Sequence, residues 1–236
     1  MGKYTAFTFL MTALLAAGQS AAQTAELTER VEAINAAAPA PEAEEASASV
    51  LEALRHEAEK TGECVPTGVE VESITPVTAD RNLSLAIERG QFQNVWQASV
   101  QPAGCPDAER QRFMVVRQPD GTVGATLLNK GESLTPPTIL LDAYEAAAPF
   151  AIAEVNKVDP ECRNPGAITT MPHIQVTARS EDLGPDFYGL RFSGNWQELW
   201  TIKVCGQMVE VPQSFETDGE GGVTIKPLAE GVRLLS

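Results

Sequence analysis

Histidine is scarce in this chain of 236 residues, which has only His56 and His173. No H-x-x-x-H or H-x-H pair exists to seed a metal site. Cysteine is sparse and widely spread: Cys64, Cys105, Cys162 and Cys205 never come within forty residues of one another. That spacing excludes the close pairs that would suggest zinc or a redox motif. There is no G-x-S-x-G elbow, no Walker A loop and no dinucleotide G-x-G-x-x-G after a strand, so the common hydrolase, nucleotide and dinucleotide signatures are missing. Gly219-Glu220-Gly221-Gly222 is glycine-rich but has no helix behind it; it reads as a hairpin tip. Positive charge is also short, with 17 Lys and Arg against 32 Asp and Glu. Nucleic acid and anionic membrane surfaces are poor partners for such a chain, because both are held by clustered cations.

The one long apolar run is at the start. Lys3 precedes Ala6 to Ala17, followed by the small residues Ser20, Ala21 and Ala22. A single early positive charge, about a dozen apolar residues and small residues before Gln23 are the pattern of a secretory signal peptide, with cleavage expected after Ala22. The run is too short for a membrane span, which needs about 20 apolar residues, and no second run follows. The mature form is therefore expected to have no transmembrane segment and to be periplasmic or secreted. Without Lys3 it carries 16 basic against 32 acidic side chains, a net charge near −16. An even number of cysteines in an exported chain reads as disulfides.

The chain also overlays on itself. At a shift of about 98 residues Gly-Glu-Cys64 falls on Pro-Glu-Cys162 and Gly68 on Gly166. At 99, Val77-Thr78-Ala79 meets Val176-Thr177-Ala178; at 100, Phe92, Trp96-Gln97 and Cys105 meet Phe192, Trp196-Gln197 and Cys205. Asp120-Gly121, Gly124 and Thr126 match Asp218-Gly219, Gly222 and Thr224 at 98. A period this long exceeds solenoid repeats and indicates a small domain written twice. The expected organisation is a signal peptide over 1–22, a short helix and Ala/Pro linker over 23–42, and α+β repeats over 43–135 and 136–236. Duplication selects the pairings Cys64 with Cys105 and Cys162 with Cys205.

Each repeat reads as a helix followed by a four- to five-stranded antiparallel sheet. Val50, Leu51, Leu54 and Ala58 recur at helical spacing between Glu42 and Lys60, and 138–156 holds the same place in the second repeat. Pro149 lies inside that second segment, so a kink or two short helices are expected there. Alternating, β-branched stretches over 173–179, 187–193, 196–204, 209–216 and 223–227 read as a meander. The outline is shared by cystatin-like and NTF2-like folds, as an analogy of fold only. Leu27, Val31 and Ile34 mark a short amphipathic helix expected to dock on the first repeat.

Acids are plentiful, but no spacing singles out a pair for acid–base work, and no catalytic, metal or cofactor residue is assigned. Glu198 lies between Trp196 and Trp200, so all three share one strand face. With Trp96, they form the candidate binding face. The second-repeat sequence Trp196-Gln-Glu-Leu-Trp200-Thr-Ile-Lys-Val-Cys205-Gly206 resembles a W-x-x-x-W-x-x-x-x-C-G strand pattern of uncharacterised bacterial envelope proteins. The resemblance spans about thirty residues and implies a periplasmic setting and no activity; Val100 and Pro106 depart from it in the first repeat. The reading is a non-catalytic exported module that binds a protein or envelope partner through aromatic side chains. The alternatives are an envelope hydrolase with its site near Glu198, and a structural or inhibitory module.

Overall fold

The computed structural model describes residues 24–106, 108–162 and 172–235. The expected signal peptide and Gly166 lie outside the described residues. The fold is α+β: helices packed on one large, mostly antiparallel sheet. Its order is β1 (Gly68–Pro76), β2 (Asn94–Ala103), β3 (Gln111–Arg117), β4 (Val123–Gly131), β5 (His173–Arg179), β6 (Asn195–Val204), β7 (Gln207–Thr217), β8 (Val223–Pro227), with β9 (Arg233–Leu234) beside β7.

Each half of that sheet carries one long helix. α2 (Ala43–Thr61) buries Ala46, Val50, Leu54 and Ala58, one side chain per turn, and ends where Gly62 takes a left-handed φ of 71° and donates to the Ala58 carbonyl. The core beneath it joins Val50 and Leu54 to Trp96, Ala98, Val100, Phe113, Val115 and Leu127. α4 (Leu140–Val155) buries Leu140, Ala143, Ala147, Ala151 and Val155 over Trp196, Trp200, Ile202, Val211 and Phe215. The two short helices expected as one outcome at Pro149 do not form; α4 runs through it. Pro149 and Glu145, whose carbonyl loses its helical partner, both face solvent, so water replaces the missing bond.

α1, the helix over 24–37, docks on the first half. Val31 is fully buried, and Asn94 donates to Asn35 Oδ1 at 2.8 Å and to the Ala38 carbonyl at 2.7 Å. Ala38 and Pro41 of the expected solvated linker are buried too.

The strand ladders correct the self-overlay in two places. Trp96 faces Val115 and Trp196 faces Phe215, an offset of 100 that persists where Arg117 faces Val123 and Thr217 faces Val223. The Val77 N–H bonds Val95 and the Ser180 N–H bonds Asn195, so Val77 stands where Ser180 does and not where Val176 does. Likewise Gln118 bonds Thr122 across one turn and Asp218 bonds Gly222 across the other. Asp120-Gly121 and Asp218-Gly219 therefore occupy different turn positions. The halves meet at a two-residue parallel pairing, Lys130 with His173 and Gly131 with Ile174. Gly131 has a φ of 76°, and a Cβ there would stand 2.2 Å from the Ile174 carbonyl oxygen. Only glycine admits so close an approach.

One further expectation fails at this level, and one helix was not expected. The stretch 187–193 is not a strand of the sheet but a tight hairpin closed by Phe187 and Leu190. Its counterpart in the first half is α3 (Arg81–Glu88), capped by Asp80, whose carboxylate accepts from the Asn82 and Leu83 backbone N–H groups. Asp before an apolar pattern is a helix-start signal, and it went unread.

Disulfides join Cys64 to Cys105 and Cys162 to Cys205. Such bonds form and persist in oxidising compartments outside the cytoplasm. No described helix is long and apolar enough to cross a membrane. The two bonds differ in access: Cys64 is exposed, whereas Cys162 is 4% exposed within the second core. Thiol–disulfide exchange requires the attacking thiolate to reach a sulfur. Under mild reductant in the native state, alkylation followed by peptide mapping is expected to label Cys64 and Cys105 well before Cys162 and Cys205. Equal rates would contradict the difference in burial.

Candidate functional site

Trp96, Trp196, Trp200 and Glu198 are all fully buried or within 1% of it. They do share the helix-covered face of their strands, but that face is core, so no partner can touch them. The reason is the amphipathic pattern itself: large rings alternating with polar residues on a strand mark the side that a helix must cover. Trp196 stacks on Phe215 with centroids 5.0 Å apart and planes 4° apart.

Glu198 has an unusual place within that core. Its Oε1 accepts from Ser133 Oγ (2.9 Å), the Leu134 N–H (2.6 Å) and the Thr135 N–H (3.1 Å). Its Oε2 accepts from Thr135 Oγ1 and Trp200 Nε1, both at 2.9 Å. An ionised carboxylate has about four lone-pair sites. Five donors use them all, leaving nothing for a substrate. Glu198 is a structural anchor that pins the connection between the halves, 133–135, onto β6.

On the other side of that connection lies Arg112, 5% exposed. Its Nη2 donates to Gln97 Oε1 (2.5 Å) and to the Thr135 carbonyl (2.9 Å), and its Nη1 to Asn129 Oδ1 (3.2 Å). Burial pushes the guanidinium down to about 10, against the opposing pull of the Glu198 and Asp186 carboxylates, so it stays charged at neutral pH. Thr135 thus links Arg112 of the first half to Glu198 of the second. A buried charge is tolerable only when paired and bonded in this way.

The same seam opens into a cleft of about 530 Å³. Ser73, Thr75, Gln97 and Arg112 of the first sheet half line one wall, and Asp186, Phe187, Tyr188 and Arg191 of the second half line the other. Its size falls within the range of small-molecule sites. Arg191 is 9% exposed and donates through Nε to the Leu134 carbonyl and through Nη1 to Gly184 (2.6 Å). Burial lowers its pKa from the usual arginine value, opposed by Asp186.

The hairpin that forms the second wall is under strain. Phe187 and Leu190 exchange backbone bonds of 2.7 and 3.1 Å around Tyr188 and Gly189, which have φ of 50° and 93°. That is the type I′ arrangement, which favours Asn, Asp or Gly at its first central place. Tyr188 stands there at a cost of about 1 kcal/mol. A side chain at Gly189 would be strained, since its φ is 93° and its Cβ would stand 3.0 Å from Val77 Cα. The Ala79 N–H bonds the Tyr188 carbonyl at 3.1 Å and holds the tip on the first half.

Of these cleft-lining residues the sequence singles out only Gln97, as part of the match of Trp96-Gln97 to Trp196-Gln197. Phe187, Tyr188 and Arg191 fall in the 187–193 stretch expected as a strand, and Asp186 and Arg112 carry no expectation. The one available signal was Tyr-Gly between apolar neighbours, a turn with the wrong first residue. His173 bonds Glu109 at 2.9 Å and has no role in the cleft. Among the described residues no three metal-ligating side chains converge.

This is a disulfide-bonded α+β chain with a polar cleft between its two sheet halves. No protein-family model matches the sequence, and no curated protein matches it. A cystatin-like protein from Ruminococcus gnavus, known from its crystal structure, aligns with 81% of this chain and 76% of its own at 12% identity and a TM-score of 0.25. So loose an overlap carries no conclusion about this chain's role.

Proposed function

We propose that the chain is an exported, non-catalytic binding protein, built from a duplicated helix-and-meander unit, whose ligand enters the cleft between the two copies. The observation that carries this reading is the cleft itself: it is walled by both halves, lined by two largely buried arginines, and bounded by a hairpin held in a strained conformation at Tyr188. Strain of this kind persists where the surroundings impose it, and it gathers at binding sites. The common offset of 100 residues in both meanders supports duplication. Glu198 is buried and its oxygens are taken up by five protein donors, which speaks for binding in the cleft over hydrolysis at Glu198.

Two measurements test the proposal. A backbone-amide NMR screen with a mixed library of small fragments should place saturable shifts at Gln97, Arg112, Tyr188 and Arg191; shifts scattered elsewhere would sink the cleft reading. Mass analysis of the exported protein should show an N-terminus at Gln23, and a retained 1–22 segment would refute the export signal.

A further inference from the structure

We infer that the Cys64–Cys105 disulfide is a thiol-sensitive latch on the junction between the sheet halves: an external dithiol that reduces it frees two acidic arms, which then let go of Lys130 and His173. The latch concerns the junction itself and stands whatever the cleft holds.

The bond ties the link from α2 to β1, which carries Cys64, to the link from β2 to β3, which carries Cys105. Each link also sends one carboxylate to the junction. Glu63, beside Cys64, accepts from Lys130 Nζ with both oxygens, at 2.7 and 2.6 Å. Glu109, in the second link, places Oε2 2.9 Å from His173 Nε2. Lys130 and His173 are register partners in the parallel pairing of the halves, and the Lys130 N–H bonds the Pro172 carbonyl across it at 3.1 Å. The two arms of one disulfide therefore grip the two residues at which the halves meet.

Little besides the disulfide fixes the first arm. Among the described residues no backbone N–H from Glu63 to Val65 finds an acceptor, and all three of these residues are exposed. Both links line a cavity of about 260 Å³ together with Leu54 and Leu127 of the first core, so they span open space there. Exposed ion pairs contribute little when long side chains on a free backbone must be brought together. The crosslink removes that backbone freedom, and cutting it restores the cost. Arg110 is held separately, by Glu72 at 2.6 Å and Glu132 at 3.3 Å, so β3 keeps its start when the bond opens. The exposed Cys64 sulfur is the one an attacking thiolate reaches. That thiolate bonds to Cys64, and Cys105 leaves as a thiolate that takes a proton from water. The second thiolate of the dithiol then displaces Cys64 and closes the dithiol to a disulfide, so two electrons pass to the protein.

The test treats the folded mature protein with mild dithiothreitol, follows each bond by alkylation and mass, and reads amide hydrogen exchange before and after. Cys64–Cys105 should open first, and the Lys130 amide should then exchange about tenfold faster or more, as a local opening, while Val115 in β3 and Ile202 in β6 keep their rates. The variant Glu63→Gln with Glu109→Gln retains the disulfide. Its Lys130 amide should exchange fast already in the oxidised protein, and reduction should add no more than about twofold, since two changes acting through one contact are not additive. Opening of Cys162–Cys205 first would overturn the choice of bond. An unchanged Lys130 rate would overturn the latch, and so would an acceleration spread evenly through the first half, the mark of a general loss of stability. A full gain on reducing the double variant would show that the two carboxylates do not transmit the effect, and would overturn it as well.

Discussion

Replacing Trp196 by alanine is expected to destabilise the protein by about 3–5 kcal/mol in urea unfolding, the range for deleting a large core aromatic. Trp196 has no exposed surface and stacks on Phe215, and neither strand can close over the space it would leave. A finer comparison separates packing from bonding. Trp196 Nε1 is buried with no acceptor among the described residues, whereas Trp200 Nε1 donates to Glu198. Trp196→Phe removes an unsatisfied donor along with some volume, and Trp200→Phe removes a satisfied one. Trp200→Phe should therefore cost more, by roughly 1–2 kcal/mol. Equal losses would mean that the Trp200 to Glu198 bond contributes nothing net.

Glu198→Leu is expected to cost about 3–5 kcal/mol, although leucine is apolar and fits a core between two tryptophans. The carboxylate satisfies Ser133, Leu134, Thr135 and Trp200 at once. Losing it leaves Thr135 Oγ1 and Trp200 Nε1 buried without this acceptor, takes a partner from the half-buried Ser133 Oγ and Leu134 N–H, and removes the opposite charge that Arg112 feels. Ala98 holds the corresponding place in the first half, in an apolar core without such donors. Ala98→Leu there should cost less, about 1–3 kcal/mol for overpacking alone. A Glu198→Leu protein as stable as wild type would show that the connection between the halves does not depend on its anchor.

The elements that periodicity could reveal were legible: α2 and α4 from apolar residues every third or fourth place, β5 to β8 from alternation, and the class α+β from their order. What pattern misled was the meaning of burial. Trp196, Glu198 and Trp200 were read as a face to be touched, because a strand pattern shows which side chains point together and not what covers them. Pro149 pointed to a kink or a division into two short helices, and the helix is not divided there because the orphaned carbonyl meets water. The 187–193 hairpin was read as a strand, because Phe187, Tyr188 and Phe192 have strand propensity, and contact with Val77 and Ala79 overrode it.

By itself the sequence determined most of the long helices and strands, the acidic charge and the scarcity of histidine, because these depend on residue type and near-neighbour spacing. The tertiary structure decided where Glu198 and Arg112 meet, that 133–135 separates them, and that both halves wall one cleft. Those relations join β2, β3, β6 and a hairpin far apart along the chain. They come from how the two helix-covered halves of one sheet join through Gly131 and Ile174, and no local spacing encodes that junction.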